Sequence, residues 1–184
     1  MKKILICGRS GAGKDTFARC LNDLGLKGVC SYTTRPRREN EGDTHIFISE
    51  EEVSNYPNKI AITEINGYTY FATKEQLDEA DYYIIDPNGI EYLEQKYPDL
   101  DCVIVYISLN AERRQERVRK NRGQMEAEVF KSRNASEDEQ FSKFENEETR
   151  NTKYIVFNFS NDGAKRELAE KATLIVDYVK KEGN

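Results

Sequence analysis

Residues 8–14 read Gly-Arg-Ser-Gly-Ala-Gly-Lys, and the spacing of Gly8, Gly13 and Lys14 is that of a loop built to hold phosphate. Gly8, Gly11 and Gly13 let the backbone N–H groups of Ser10, Ala12 and their neighbours turn inward around anionic oxygens. A helix opening at Lys14 adds the positive end of its dipole, and the lysine can bridge terminal phosphates. Asp15 then stands where a metal-facing hydroxyl is usual, with Thr16 one place late. Two readings stay open. Asp15 is a Mg²⁺ ligand, or it caps the helix while Thr16 takes the hydroxyl's part. Such a loop implies a nucleoside triphosphate without saying which reaction it serves.

A second cluster follows in "SYTTRPRRENEGDTHIFIS", residues 31–49. Arg35, Arg37 and Arg38 crowd one short stretch, and guanidinium forks match phosphate oxygens two at a time. Arginines facing a phosphate loop across a cleft imply a second phosphate, the acceptor. A solvated basic turn is the plainer alternative.

Parallel strands and helices are needed to position both clusters. "KKILICG" is a continuous apolar run ending in Gly, as in a strand covered on both faces. Phe17, Ala18, Leu21 and Leu24 recur at helical spacing, and Gly25 closes that helix. Further strands are expected at 82–86, 102–108 and 153–158, separated by helical patterns at 88–96, 110–120 and 125–149, with a last helix over 162–181. Alternating strands and helices give an α/β fold with a parallel sheet. Asn66-Gly67 between two alternating runs predicts a hairpin, so residues 35–80 read as a small, mostly antiparallel insertion. The polar, arginine-rich stretch from 119 suits a lid.

Length and composition fit this picture. The chain has 184 residues, enough for one domain with a real core. A net charge of −5 argues against a nucleic-acid or membrane partner, both of which ask for a basic face. No apolar run approaches the roughly 18 residues of a membrane helix. "MKKILICG" is too short for a signal peptide. Cys7, Cys20, Cys30 and Cys102 lack zinc-site spacing and read as small buried residues, which fits a reducing cytoplasm.

Taken together, these motifs resemble the guanylate kinase family. Ser-x-Thr-Thr-Arg-x-x-Arg, from Ser31 to Arg38, is similar to its acceptor-binding segment. The likeness continues through "EGDTHIFIS", "NGYTYFAT", "IIDPNGI" and Arg122-Gly123, with Arg133 eleven positions after Arg122. It implies a P-loop core (1–34, 81–118 and 150–184), a monophosphate-binding insertion (35–80) and a lid region (119–149). It also implies ATP and Mg²⁺ as cofactors and nucleotides as partners. By the resemblance, Lys14 contacts the ATP phosphates. Arg35 and Arg38 hold the acceptor phosphate with Tyr70, and Ser31 and Asp86 face its base. Arg122 and Arg133 close over the transferring group, and Asn158 lies near the adenine.

The chain departs from that pattern at Asp15 and at three acceptor positions. His45 replaces a phosphate-binding tyrosine, and Ala61 and Ala72 replace base-reading polar residues. Glu64 could stand in for the lost carboxylate, but strand alternation points it away from Ala61 unless a bulge intervenes. The expected reaction is ATP plus GMP or dGMP to ADP plus GDP or dGDP. A kinase of another nucleoside monophosphate, or a non-catalytic binding module of the same fold, are the alternatives.

Overall fold

The computed structural model describes residues 1–37, 42–43, 45–65, 67–122, 130, 137–163 and 165–182. Its centre is a four-stranded sheet in the order β6-β1-β7-β8, built from β1 (Lys3–Cys7), β6 (Tyr82–Ile84), β7 (Cys102–Ser108) and β8 (Ile155–Ser160). All three pairings are parallel. Side chains alternate across it as strand geometry demands. Ile4 and Ile6 face Phe17 and Leu21 of α1 (Lys14–Asp23) and Leu168, Ala172 and Ile175 of α6 (Lys165–Lys181). Leu5 and Cys7 face the other way, towards Ile90 and Leu93 of α3 (Pro87–Lys96) and Phe141 and Phe144 of α5 (137–145). Both faces of β1 are therefore buried, which is why its sequence is apolar without interruption.

The first helix closes at Gly25 as expected, but its last apolar residue faces outward. Leu24 is 40% exposed, and Leu26 is buried instead. Gly25 takes φ 85°, its N–H bonds to the Asn22 carbonyl, and the Leu26 N–H bonds to the Leu21 carbonyl. That paired closure turns the chain so that the residue after the glycine re-enters the core.

A second sheet stands beyond the first, in the order β3-β2-β5-β4. It contains β2 (Tyr32–Thr33), β3 (Ile46–Phe47), β4 (Lys59–Ile65) and β5 (Tyr68–Thr73), antiparallel except for β2 with β3. β2 thus begins the second sheet just before the position 35 boundary expected from sequence. Gly67, φ 75°, turns β4 into β5. Thr73 caps α2 (Lys74–Glu79) through a reciprocal pair of bonds with Gln76. α4 (Ala111–Arg122) follows β7.

Some expectations shift. The sixth strand stops at Ile84 because Asp86 caps α3. The last strand starts at Ile155 and runs to Ser160, two residues later than expected. Of the helix expected over 125–149, the described helical part is α5; the rest up to residue 136, apart from Phe130, lies outside the described residues. Cys7, Cys20 and Cys102 are buried, whereas Cys30 is half-buried beside the Asp43 carbonyl. No described helix is long and apolar enough to cross a membrane.

Gly8 sits where β1 leaves the sheet, and a Cβ there would lie 2.4 Å from the Ile107 carbonyl oxygen. Backbone cannot move aside as a side chain can. Gly8→Ala is expected to cost about 2–4 kcal/mol, adding overpacking to backbone strain. Thermal denaturation should show a Tm lowered by about 5–15 °C. Gly42→Ala, where the added carbon meets nothing within 4 Å, should leave Tm unchanged.

Candidate active site

The loop between β1 and α1 is held from three directions. The Asn161 side chain, buried just past β8, donates to the Ala12 carbonyl at 2.6 Å. Its own N–H bonds to the Ser108 carbonyl at the end of β7, and its carbonyl accepts from Arg117 of α4. Gly13, φ 110°, passes so close that a Cβ would meet the Asn161 amide nitrogen at 2.2 Å. From α4, the buried Arg114 donates to the Ser10 carbonyl at 3.2 Å and to the Leu109 carbonyl. Loop carbonyls are thereby tied to the scaffold, which leaves the opposite side of the loop facing the cleft. Lys14 folds back across it, its ammonium 2.6 Å from the Gly8 carbonyl and 3.2 Å from that of Arg9.

One cleft of about 350 Å³ joins this loop to the second sheet. Gly8, Ser10 and Lys14 line one side; Ser31, His45, Glu64, Tyr70 and Asp86 line the other. Five acceptor-side residues expected from sequence therefore share one cavity with the phosphate loop. They are also wired together. Ser31 Oγ lies 2.9 Å from His45 Nδ1, and His45 meets Tyr70 edge-on at 5.8 Å. Arg35 is 94% buried by its 6% exposure, and its Nε donates to the Tyr70 hydroxyl at 3.1 Å. One guanidinium nitrogen also bonds the Pro36 carbonyl.

The bulge left open by the sequence is present. Ile60 pairs with Ala72 but Thr63 pairs with Tyr70, so Ala61 and Ile62 together oppose Phe71. Ala61 takes φ 48°, the left-handed turn that absorbs the extra residue. Thr63, paired with Tyr70, is the residue turned inward, while Glu64, paired with Thr69, is exposed at the edge of the cleft. Thr63 donates to one Asp86 oxygen at 3.0 Å, while the other accepts the Gly89 N–H at 2.7 Å and caps α3. Ala72 is fully buried under the hairpin, and the neighbouring Thr73 hydroxyl is spent on its helix cap.

Comparison with known proteins settles the family. The guanylate kinase family model matches residues 1–171. This chain belongs to the guanylate kinase family. Among solved structures, the guanylate kinase of Anaplasma phagocytophilum superposes with a TM-score of 0.59 at 21% identity, covering 98% of this chain and 86% of that one. A sugar kinase from a Janibacter species gives 0.52 at 16% identity, covering 96% and 95%. Both show a shared fold. No curated relative matches the chain.

Set against the guanylate kinase pattern, the remaining expected residues fall as follows. Gly11 and Ala12 lie within the loop, and Ala12 is fully buried. Asp15 is exposed and Thr16 half-buried in the first turn of α1, where the Thr16 hydroxyl accepts from Arg19 at 3.3 Å. Asn158 is exposed on β8 opposite Tyr106, and it does not line the cleft. Arg38 and Arg133 lie outside the described residues, and so does the side chain of Arg122. The asparagine that reaches the phosphate loop is Asn161, three residues beyond the one singled out from sequence. The available signal was its place just after the last parallel strand, since ligands of such sheets sit at strand carboxyl ends.

Charge around the loop is arranged by α5. Arg9 reaches Glu145 with two nitrogens and also pairs with Asp138. Burial alone would raise the Glu145 carboxyl, but Arg9 and the Tyr106 hydroxyl outweigh it and hold it below its usual value. Burial pushes the Cys7 thiol far up, so the cysteine preceding the loop stays an inert thiol.

Asn161→Ala would orphan the Ala12 carbonyl and open space beside Gly13. Leaving one buried partner unpaired costs about 1–3 kcal/mol. The expected outcome is a Tm lower by about 3–10 °C together with weaker MgATP binding by calorimetry. Asn158→Ala, made on the exposed neighbour, should change neither.

Proposed function

We propose that this chain is a nucleoside monophosphate kinase that moves the γ-phosphate of ATP to GMP or dGMP in the cytoplasm. The observation that carries the reading is the single cleft in which Lys14 and the phosphate loop face Ser31, His45, Glu64, Tyr70 and Asp86. A donor site and an acceptor site sharing one cavity is what direct phosphoryl transfer requires.

On this reading the loop N–H groups cradle the donor phosphates, and Lys14 exchanges the Gly8 and Arg9 carbonyls for phosphate oxygens. Arg35 is already aimed by the Tyr70 hydroxyl, so it meets the acceptor phosphate with little freedom left to lose. An acceptor phosphate oxygen attacks the γ-phosphorus in line. The bond from that phosphorus to its bridging oxygen breaks, and the bridging oxygen leaves on ADP. The attacking oxygen is ionised at pH 7, so no general base is needed. Positioning and charge neutralisation carry the reaction. Arg38, Arg122 and Arg133 take the acceptor and lid roles that the family resemblance assigns.

Mg²⁺ fits the site as an ion held mainly by phosphate. Among the described residues no group of three or more His, Cys, Asp or Glu could cage a metal. Mg²⁺ is commonly held by one or two carboxylates plus substrate phosphates. Asp15, exposed beside the loop, would supply one such carboxylate, with the Thr16 hydroxyl as the other candidate. When bound, the ion neutralises charge that builds on the β- and γ-phosphate oxygens.

Base recognition falls to Ser31, Glu64 and Asp86. The buried Ala72 favours a second reading, a kinase of another nucleoside or deoxynucleoside monophosphate, because that position offers no polar group. A coupled ADP-release assay with ATP, Mg²⁺ and each common ribo- and deoxyribonucleoside monophosphate separates the readings. GMP or dGMP should give the highest kcat/KM. A pyrimidine monophosphate in that place would move the assignment to the second reading, and no monophosphate-dependent ADP would leave a binding module.

Two substitutions sharpen the test. Lys14→Met should lower kcat about 10²–10³-fold in a folded protein, the usual loss of one charge-stabilising contact. Glu64→Ala should lower kcat/KM for the best purine monophosphate while barely changing KM for ATP. An equal effect on both would move Glu64 out of the acceptor site.

A further inference from the structure

The phosphate loop carries an anion of its own. Glu137, at the start of α5, accepts from the Ser10 N–H at 3.0 and 3.2 Å with its two oxygens, and from the Ser10 hydroxyl as well. Arg114 lies 3.8 Å from the same carboxylate. The group is well covered, its side chain 17% exposed, and it lines the cleft together with Lys14. A carboxylate on a loop N–H with a guanidinium behind it has the bonding pattern of a bound phosphate oxygen.

The rest of α5 is built to hold it there. Glu137, Asp138, Phe141 and Glu145 fall on one helix face by their spacing. Asp138 and Glu145 pair with Arg9, and the Arg9 guanidinium lies 5.4 Å from the Phe141 ring. Phe141 itself is buried in the core. Most polar contacts on this face go to Arg9 and Ser10, two consecutive residues of the phosphate loop, with Arg114 and the Tyr106 hydroxyl adding to them. The helix is thus docked on the loop by charge and anchored by one aromatic ring.

We propose that Glu137 is an internal competitor for the phosphate subsite, and that the donor triphosphate binds only after displacing it. The inference rests on the reading of residues 8–14 as the donor site. Its physical reason is Coulombic. The cleft already holds the carboxylates of Asp86 and Glu137, and a triphosphate cannot share Ser10 with a carboxylate at hydrogen-bond distance. Apparent affinity is the intrinsic affinity reduced by the fraction of molecules with the subsite open. Binding of the donor and release of α5 are then one event.

Calorimetric titration of MgATP into wild type, Glu137→Ala and Glu137→Gln tests this. Glu137→Ala should bind about tenfold more tightly than wild type, and Glu137→Gln, which keeps the shape and loses the charge, should fall between them. Glu145→Gln provides a variant that loosens α5 without touching Ser10, and it should also tighten binding. Unchanged affinity in Glu137→Ala overturns the competition. Weaker affinity overturns it too, by making Glu137 a ligand of the bound nucleotide or its Mg²⁺. Failure of all four proteins to bind MgATP overturns the donor-site reading itself, whereas binding by wild type leaves that reading intact whichever way the variants move.

Discussion

A row of backbone N–H groups pointing into a cavity is an unstable thing to build, because each would rather pair with a carbonyl or water. Everything near the cleft depends on preventing that collapse. The Gly8, Arg9, Ser10 and Ala12 carbonyls are taken by Lys14, Arg114 and Asn161, which holds the loop open. The ties come from the ends of β7 and β8 and from α4, elements far apart in the chain. The parallel sheet earns its place here as a frame that brings those ends to one edge.

The second half of the cleft hangs on a different joint. Asp86 spends one oxygen on the first turn of α3 and the other on Thr63 of the hairpin. Gly89 packs against Ala61, where a Cβ would come within 3.3 Å of the alanine's own. The central sheet and the second sheet meet at this point through a carboxylate and a bare backbone. This wall of the cleft is therefore positioned by contacts to the helix that follows β6, and Ser31, His45 and Tyr70 are linked to one another across the second sheet.

Legibility in the sequence followed how local the determining physics was. The phosphate loop, the strand–helix alternation and the hairpin turn are written in glycine spacing and periodicity, and they appear where expected. The first helix ends where Gly25 ends it, but Leu24 faces out, because the closure that rotates Leu26 inward is a backbone event invisible to apolar counting. Asn161 was missed because its importance comes from a contact 149 residues away. Glu137 had no motif at all; only the approach of α5 to Ser10 gives it a role. The acceptor-side residues Ser31, His45, Tyr70 and Asp86 were legible only through resemblance, since four separate segments supply them. The bulge at Ala61 could be named as a condition from alternation but not decided, because bulges answer to packing across the strand pair.

That bulge has a consequence for how such a pocket diversifies. With one extra residue between Ile60 and Thr63, the strand behaves like a reading frame shifted by one. Loss of a single residue there would restore plain alternation and exchange the outer half of β4 face for face, turning Thr63 out and Glu64 in. A change in what lines the cavity is then reachable through length variation in one strand, with no residue substituted.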